Sequence, residues 1–297
     1  MRVIGIFGPT ASGKSAVAAA VAERIPAEVV SADAMQVYEG LPILTNRSAY
    51  PERLVGVWPL SHTASVGEYA PLAHAAVDEI LASGRTPLVA GGTGLYFRAA
   101  LAELRLPPAP AAGARERWAR LYDEQGAEAA YRRLVDRDPE AAARVHPNDR
   151  RRVVRALELA ETGASLAPGE ERLFAGGWRH PTLVVGLNVP KGVLERRIEE
   201  RAQAMFGAGV EEEVRRAVSG PVSETARRMI GLDAIATLPR AEALSELVAR
   251  TRRYAAYQRK WLRRLEGAAI VAGDREPGEI ADDIVALARA RQRLHRP

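Results

Sequence analysis

Eight residues near the N-terminus, Gly8-Pro9-Thr10-Ala11-Ser12-Gly13-Lys14-Ser15, have the spacing G-x-x-x-x-G-K-[ST], and the chemistry this spacing serves is a grip on phosphate. Glycines let the backbone turn its N–H groups around an anion, and a following helix adds the partial positive charge of its N-terminus. Lys14 supplies an ammonium for the phosphate oxygens, and the Ser15 hydroxyl is a ligand for magnesium. The flanks agree: residues 3–7 are an apolar run that reads as a buried strand, and 16–24 read as a helix. A glycine-serine surface turn ahead of an ordinary helix is the plain alternative.

A second β-branched run at 28–31 leads into Ser31-Ala32-Asp33-Ala34-Met35-Gln36-Val37-Tyr38. Residues just past a strand end in a parallel sheet face the ligand crevice, so Asp33 is predicted beside the phosphates. A carboxylate there positions magnesium or takes a proton from a nucleophile; its alternative employment is to N-cap the next helix. The turn Ala90-Gly91-Gly92-Thr93-Gly94-Leu95-Tyr96 falls at the same edge, where paired glycines permit close approach to a ligand and Thr93 offers a hydroxyl. A simple strand-to-helix turn has the same look.

The cations are grouped. Asn148-Asp149-Arg150-Arg151-Arg152-Val153-Val154-Arg155-Ala156-Leu157-Glu158 reads as a helix capped by Asp149, with Val153, Val154 and Leu157 on its buried side. Its arginines are either a solvated face or a track for a sugar-phosphate backbone. Arg197 and Arg201 lie one helical turn apart; they pair with Glu195, Glu199 and Glu200 or neutralise a leaving group. Residues 250–264 interleave Arg250, Arg252, Arg253, Arg259, Lys260, Arg263 and Arg264 with Tyr254, Tyr257 and Trp261. That mixture suits RNA, and it also suits an amphipathic helix burying the three aromatics.

The elements that must position these residues follow from length and pattern. At 297 residues and 47% hydrophobic content the chain supports one large domain, or one domain carrying an insertion. Further strand-like runs at 54–60, 87–90, 182–189 and 268–271 alternate with helical stretches such as 71–83 and 192–208. The predicted fold is α/β, a P-loop kinase-like parallel sheet flanked by helices. Between about 107 and 181 the strand signal vanishes: the segment opens on Pro107-Pro108-Ala109-Pro110 and closes on the glycine-rich stretch from Gly169 to Gly177. It is predicted as an inserted all-helical subdomain, 108–179, in a core made of 1–107 and 180–297. The absence of cysteine excludes disulfides, thiolate zinc sites and cysteine nucleophiles, and fits a reducing compartment. The first apolar run breaks at Gly8-Pro9, too short for a signal-peptide core or a membrane span, so a cytoplasmic enzyme is expected. A net charge of +5, with arginine far outnumbering lysine in two local patches, points to a nucleic-acid partner.

In this order, the motifs resemble the tRNA dimethylallyltransferase (tRNA isopentenyltransferase) family over nearly the whole chain. The resemblance rests on the loop from Gly8 to Ser15, on Asp33 with Met35-Gln36-Val37-Tyr38, on Gly91-Gly92-Thr93-Gly94-Leu95-Tyr96, and on Asn148-Asp149 with Arg152 and Arg155-Ala156-Leu157-Glu158. It continues through 201–205, Gly209, Thr251-Arg252, Gln258, Trp261 and Arg263. It implies transfer of a dimethylallyl group from its diphosphate to the exocyclic N6 amine of the adenine 3′-adjacent to the anticodon, with magnesium. Gly8, Pro9, Thr10, Ala11, Ser12, Gly13, Lys14, Ser15 and Arg201 are implied as the diphosphate site, Thr10 touching the bridging oxygen and Ser15 the metal. Asp33 is implied as the acceptor of the adenine proton. Contacts with the tRNA anticodon stem-loop are implied for Asp33, Ala34, Met35, Gln36, Thr93, Arg151, Arg152, Val153, Val154, Arg155, Arg252, Gln258, Trp261 and Arg263. No membrane partner is implied, and a monomer is expected.

The chain departs from the family pattern in places. Ala34 replaces a serine, Leu44-Thr45-Asn46-Arg47 replaces Gly-Thr-Ala-Lys, and His62 alone stands for a histidine pair in a shortened 44–66 loop. Ile230-Gly231-Leu232-Asp233 replaces Ile-Gly-Tyr-Lys, and Ala256-Tyr257 replaces a basic pair. All touch RNA contact and spare the diphosphate site. Among rival readings, an ATP-dependent small-molecule kinase accounts for the loop and Asp33 but leaves the basic segments idle. A prenyltransferase acting on free adenine nucleotides needs neither RNA patch, and a nucleotide-sensing, nucleic-acid-binding regulator needs no base beside the loop.

Overall fold

The computed structural model describes residues 2–104, 110–166, 177–265 and 267–294. Pro107-Pro108-Ala109, and the glycine-rich stretch up to residue 176, lie outside the described residues. The chain divides into two compact units, one of 1–102 with 178–297 and one of 103–177.

The first unit is built on an all-parallel sheet. Its central strand β1 (Val3–Phe7) is buried at every residue, as an uninterrupted apolar run covered on both faces must be. The sheet order is β3-β2-β4-β1-β5-β6, with β2 (Ala27–Ser31), β3 (Glu52–Arg53), β4 (Thr86–Gly91), β5 (Thr182–Asn188) and β6 (Ala269–Ala272). Ile4 pairs with Leu88 on one side and Leu183 on the other. Because the strands run parallel, the loops leaving β1, β2 and β4 open on one edge. Helices α1 (Lys14–Ala22), α2 (Val66–Ala82) and α3 (Gly94–Leu101) follow β1, β3 and β4. A capping box between Ser65 and Glu68 starts α2.

The strand predicted at 54–60 is not formed: β3 is only Glu52–Arg53, and beyond it the backbone turns, leaving the isolated bridge Tyr38–Trp58. Leu54 and Gly56 adopt left-handed φ values of 63° and 64°, which break the pleat despite the β-branched composition.

The C-terminal part of this unit contributes α7 (Lys191–Gly207), α8 (Val210–Val218), α9 (Glu224–Arg227), α10 (Leu232–Thr237), α11 (Arg240–Leu262) and α12 (Pro277–Leu294). α12 joins the main core beside α1, where Ile280, Ala281 and Ile284 cluster with Val17, Ala18 and Val21. Among the described residues no helix is long and apolar enough to cross a membrane.

The second unit is helical where described: α4 (Ala114–Arg137), broken at Gly126, then α5 (Pro139–Ala142) and α6 (Arg150–Glu161). Asp149 caps α6, its carboxylate accepting from the Arg152 N–H at 3.1 Å. Val153 and Val154 pack with Trp118, Leu134 and Leu157 in this unit's core, 0% and 5% exposed, on the buried side that helical periodicity gave them. The buried Glu158 carboxylate accepts from Arg115 at 2.8 Å and Arg155 at 2.9 Å, so Arg155 serves the fold of its own unit. Arg151 is exposed.

Candidate active site

The phosphate loop joins β1 to α1. Ala11 and Gly13 take left-handed φ values of 62° and 84°, and Gly13 is the N-cap of α1 without offering a side-chain cap. The free N–H groups of the first turn of α1 are therefore left for an anion. The Lys14 ammonium donates to the Pro9 carbonyl at 2.8 Å, folded back on its own loop. Its stem stays partly accessible, yet the ammonium is enclosed; burial pulls it down to about 8, with Asp33 opposing and Arg201 adding to the fall. Arg201 of α7 donates through Nη2 to Thr10 Oγ1 at 2.7 Å. Burial holds its guanidinium below the ordinary arginine range, against the pull of Asp33, but arginine remains a cation.

Asp33 follows β2 and starts a turn, not a helix, so the N-cap alternative does not apply. Its Oδ1 accepts from the Met35 N–H at 2.9 Å, which fixes the carboxylate. The Ala34 N–H donates to Thr93 Oγ1 at 3.3 Å, and Thr93 in turn meets the Tyr254 hydroxyl at 3.2 Å. Position 34 is thus used through its backbone. The Gln36 carboxamide is occupied internally, accepting from Ser31 at 2.8 Å and donating to the Thr45 carbonyl at 3.2 Å.

The glycines after β4 make room for the protein itself. A Cβ on Gly91 would lie 2.2 Å from the Ala32 carbonyl, one on Gly92 2.4 Å from Gln258, and one on Gly94 2.3 Å from the Trp261 ring. Gln258 and Trp261 belong to α11, which presents Thr251, Tyr254, Gln258 and Trp261 on one stripe to this edge. Arg253, Tyr257, Lys260 and Arg264 form the outer stripe, with Tyr257 54% exposed, against the alternative that buries all three aromatics. The exposed Arg263 caps the helix, and Arg252 pairs with Glu199. Gln258, implied as a tRNA contact, is 1% exposed and bonded to the phosphate loop and the glycine turn.

These residues enclose a polar cavity of about 350 Å³, lined among others by Thr10, Lys14, Ser15, Asp33, Glu52 and Arg201. A smaller one of about 90 Å³ shares Thr10, Asp33 and Arg201 but is walled by Ile198, Ala202, Met205, Met229 and Leu247. Sequence reasoning missed Ile198, Met229 and Leu247, along with Glu52 and Glu213. Burial raises the Glu52 carboxyl above the usual carboxylate range, with the Ser15 and Ser48 hydroxyls pulling the other way, and its Oε1 is buried without a hydrogen-bond partner. Glu213 accepts from the Ile43 and Leu44 N–H groups at 2.7 and 2.8 Å, setting the turn that brings Thr45 and Asn46 to the cleft.

A phosphate loop at the edge of a parallel sheet, with a polar cavity that shares Thr10, Asp33 and Arg201 with an apolar annex, defines the class as a P-loop α/β enzyme. Comparison narrows the class: the chain belongs to the tRNA dimethylallyltransferase family. The family described as IPP transferase matches residues 36–265, and that described as isopentenyl transferase matches 1–57. The tRNA dimethylallyltransferase of Salinispora tropica is 39% identical over 276 residues, 88% of this chain and 85% of that protein. That of Kineococcus radiotolerans is 40% identical over 282 residues, 88% of each. The full-length tRNA isopentenylpyrophosphate transferase of Bacillus halodurans superposes with a TM-score of 0.70 at 28% identity, covering 99% of this chain and 98% of that one.

Proposed function

We propose that this protein transfers the dimethylallyl group of dimethylallyl diphosphate to N6 of the adenine 3′-adjacent to the anticodon in tRNA, releasing diphosphate. The observation that carries the reading is the pair of joined cavities. Thr10, Asp33 and Arg201 stand where the polar and apolar spaces meet, the place for the bond between a hydrocarbon and its phosphate.

In this arrangement the loop amides, Lys14 and Arg201 hold the diphosphate, and Thr10 faces the bridging oxygen. The C1–O bond breaks with its electron pair leaving on that oxygen, where cations and amide dipoles lower the barrier. The N6 lone pair forms the new bond to C1, and the N6 proton passes to Asp33. Magnesium suits the donors present, which are hard oxygens: the Ser15 hydroxyl and the Glu52 carboxylate, with Glu52 Oε1 unpartnered. Among the described residues no group of three or more His, Asp or Glu forms a self-sufficient metal site, so the diphosphate itself supplies further oxygens. When bound, the ion neutralises leaving-group charge.

The test is mass analysis of tRNA nucleosides after incubation with dimethylallyl diphosphate and magnesium. Dimethylallyl on the adenosine beside the anticodon supports the reading; transfer only to free AMP, or phosphate transfer from ATP, overturns it. For the RNA side, the exposed outer stripe of α11 is the better candidate than the Glu158-bound Arg155. Exchanging Lys260 or Arg264 for Gln is expected to flatten the log K against log salt slope by roughly 0.7–0.9 per lost phosphate contact. Arg155→Gln is expected to lower melting temperature instead, and titrations at several salt concentrations separate the two effects.

A further inference from the structure

Gln258 is buried, and its carboxamide spans two loops that the catalytic reading treats separately. Its Oε1 accepts from the Thr10 N–H at 2.7 Å, and its Nε2 donates to the Gly92 carbonyl at 2.9 Å. Only one orientation of the amide satisfies both, because Thr10 offers a donor and Gly92 an acceptor. The contact bridges 248 residues of sequence and is made possible by Gly92, whose place no larger residue takes without a clash. Thr10 is held at its other end by Arg201, so the residue is pinned through both backbone and side chain. Tyr254, one turn earlier on α11, pairs with Thr93 on the same glycine turn.

The geometry points to Gln258 as a positioning residue for the transfer reaction. By fixing the Thr10 amide it sets where the Thr10 hydroxyl and the Arg201 guanidinium meet the bridging oxygen, and it ties that placement to the turn carrying Thr93 beside Asp33. This inference rests on the dimethylallyl-transfer reading. The loop is glycine-rich and carries two left-handed residues, so without an outside tether the Thr10 peptide has alternative orientations to sample. An error of about an ångström at a reacting centre costs about 10²-fold in rate, which sets the scale of the effect.

The experiment is a double-mutant cycle between Gln258→Leu and Thr10→Val, with Gln258→Met as a second variant that keeps an unbranched stem. Steady-state kinetics with dimethylallyl diphosphate are measured beside tRNA binding and melting temperature. Gln258→Leu is expected to lower kcat by about 10- to 100-fold with tRNA affinity unchanged. In the Thr10→Val background the further loss is expected to shrink to about threefold or less, the non-additivity of groups acting through one another. Additive losses, an unchanged kcat, or a loss of tRNA affinity with kcat intact would each overturn the assignment. If Gln258→Leu melts early, Gln258→Met decides: native-like melting with reduced kcat supports positioning, and a fall in every parameter together assigns Gln258 to folding alone. Absence of transfer by the unsubstituted protein would instead strike the reading beneath it.

Discussion

Asp33→Asn is expected to lower kcat for prenyl transfer by about 10²–10⁴-fold, the range for a positioned general base. Asparagine keeps an oxygen for the Met35 N–H, so the turn at 34–37 survives and the loss isolates the proton acceptor. Two secondary signs distinguish this from simple damage. Asp33 is a negative charge facing the diphosphate cavity, so its removal is expected to leave affinity for dimethylallyl diphosphate unchanged or tighter. Asp33 also raises the Lys14 ammonium, so the alkaline limb of the pH profile is expected at lower pH in the variant. A kcat within tenfold of the original, or weakened diphosphate binding, would show that Asp33 organises the loop and leaves the proton to another group.

The contrast between Asp33 and Gln258 shows what a sequence discloses. The phosphate loop and Asp33 are legible because each follows its strand within a few residues, and strand ends in a parallel sheet share one edge. The helix at 240–262 is legible too, since Thr251, Tyr254, Gln258 and Trp261 recur at helical spacing. Which of its stripes turns inward is not: both mix polar groups with aromatics, and the deciding partners, Gly92 and Gly94, lie more than a hundred residues away in sequence. For the same reason the glycine turn stayed open between an approach for a ligand and a plain strand-to-helix turn, and its room for α11 at Gly92 and Gly94 went unseen. Glu52 left no pattern at all, because a two-residue edge strand has no periodicity to read. Val153 and Val154 went the other way: helical periodicity placed them on the buried side of α6, and that is where they pack.

Lys14→Met carries the second large effect, with opposite signs for activity and stability. Losing a cation aimed at the leaving diphosphate is expected to reduce kcat/KM by about 10²–10³-fold. Yet the ligand-free protein is expected to melt higher at pH 7. In the folded state the ammonium lies near 8 against 10.5 in a free lysine, so the unfolded chain binds the extra proton between those values and native stability rises with pH across that window. Below about pH 8 the folded protein bears the whole cost of enclosing the charge, at most about 3–4 kcal/mol at 1.36 kcal/mol per unit. Partial access of the stem and the lost bond to the Pro9 carbonyl reduce the net gain on substitution to about 1–2 kcal/mol, a few degrees of melting temperature in a chain of this size. The advantage of the variant is expected to disappear as pH rises toward 10.5, where the native lysine sheds its proton, and to reverse at pH 7 when diphosphate is added, because only the lysine protein gains the ligand's full binding energy. Melting curves at pH 7 and 10, with and without diphosphate, test all of these signs; a lower ligand-free melting temperature for Lys14→Met at pH 7 would mean that the ammonium is already neutralised by Asp33 and the loop, and is not a charge held ready for the substrate.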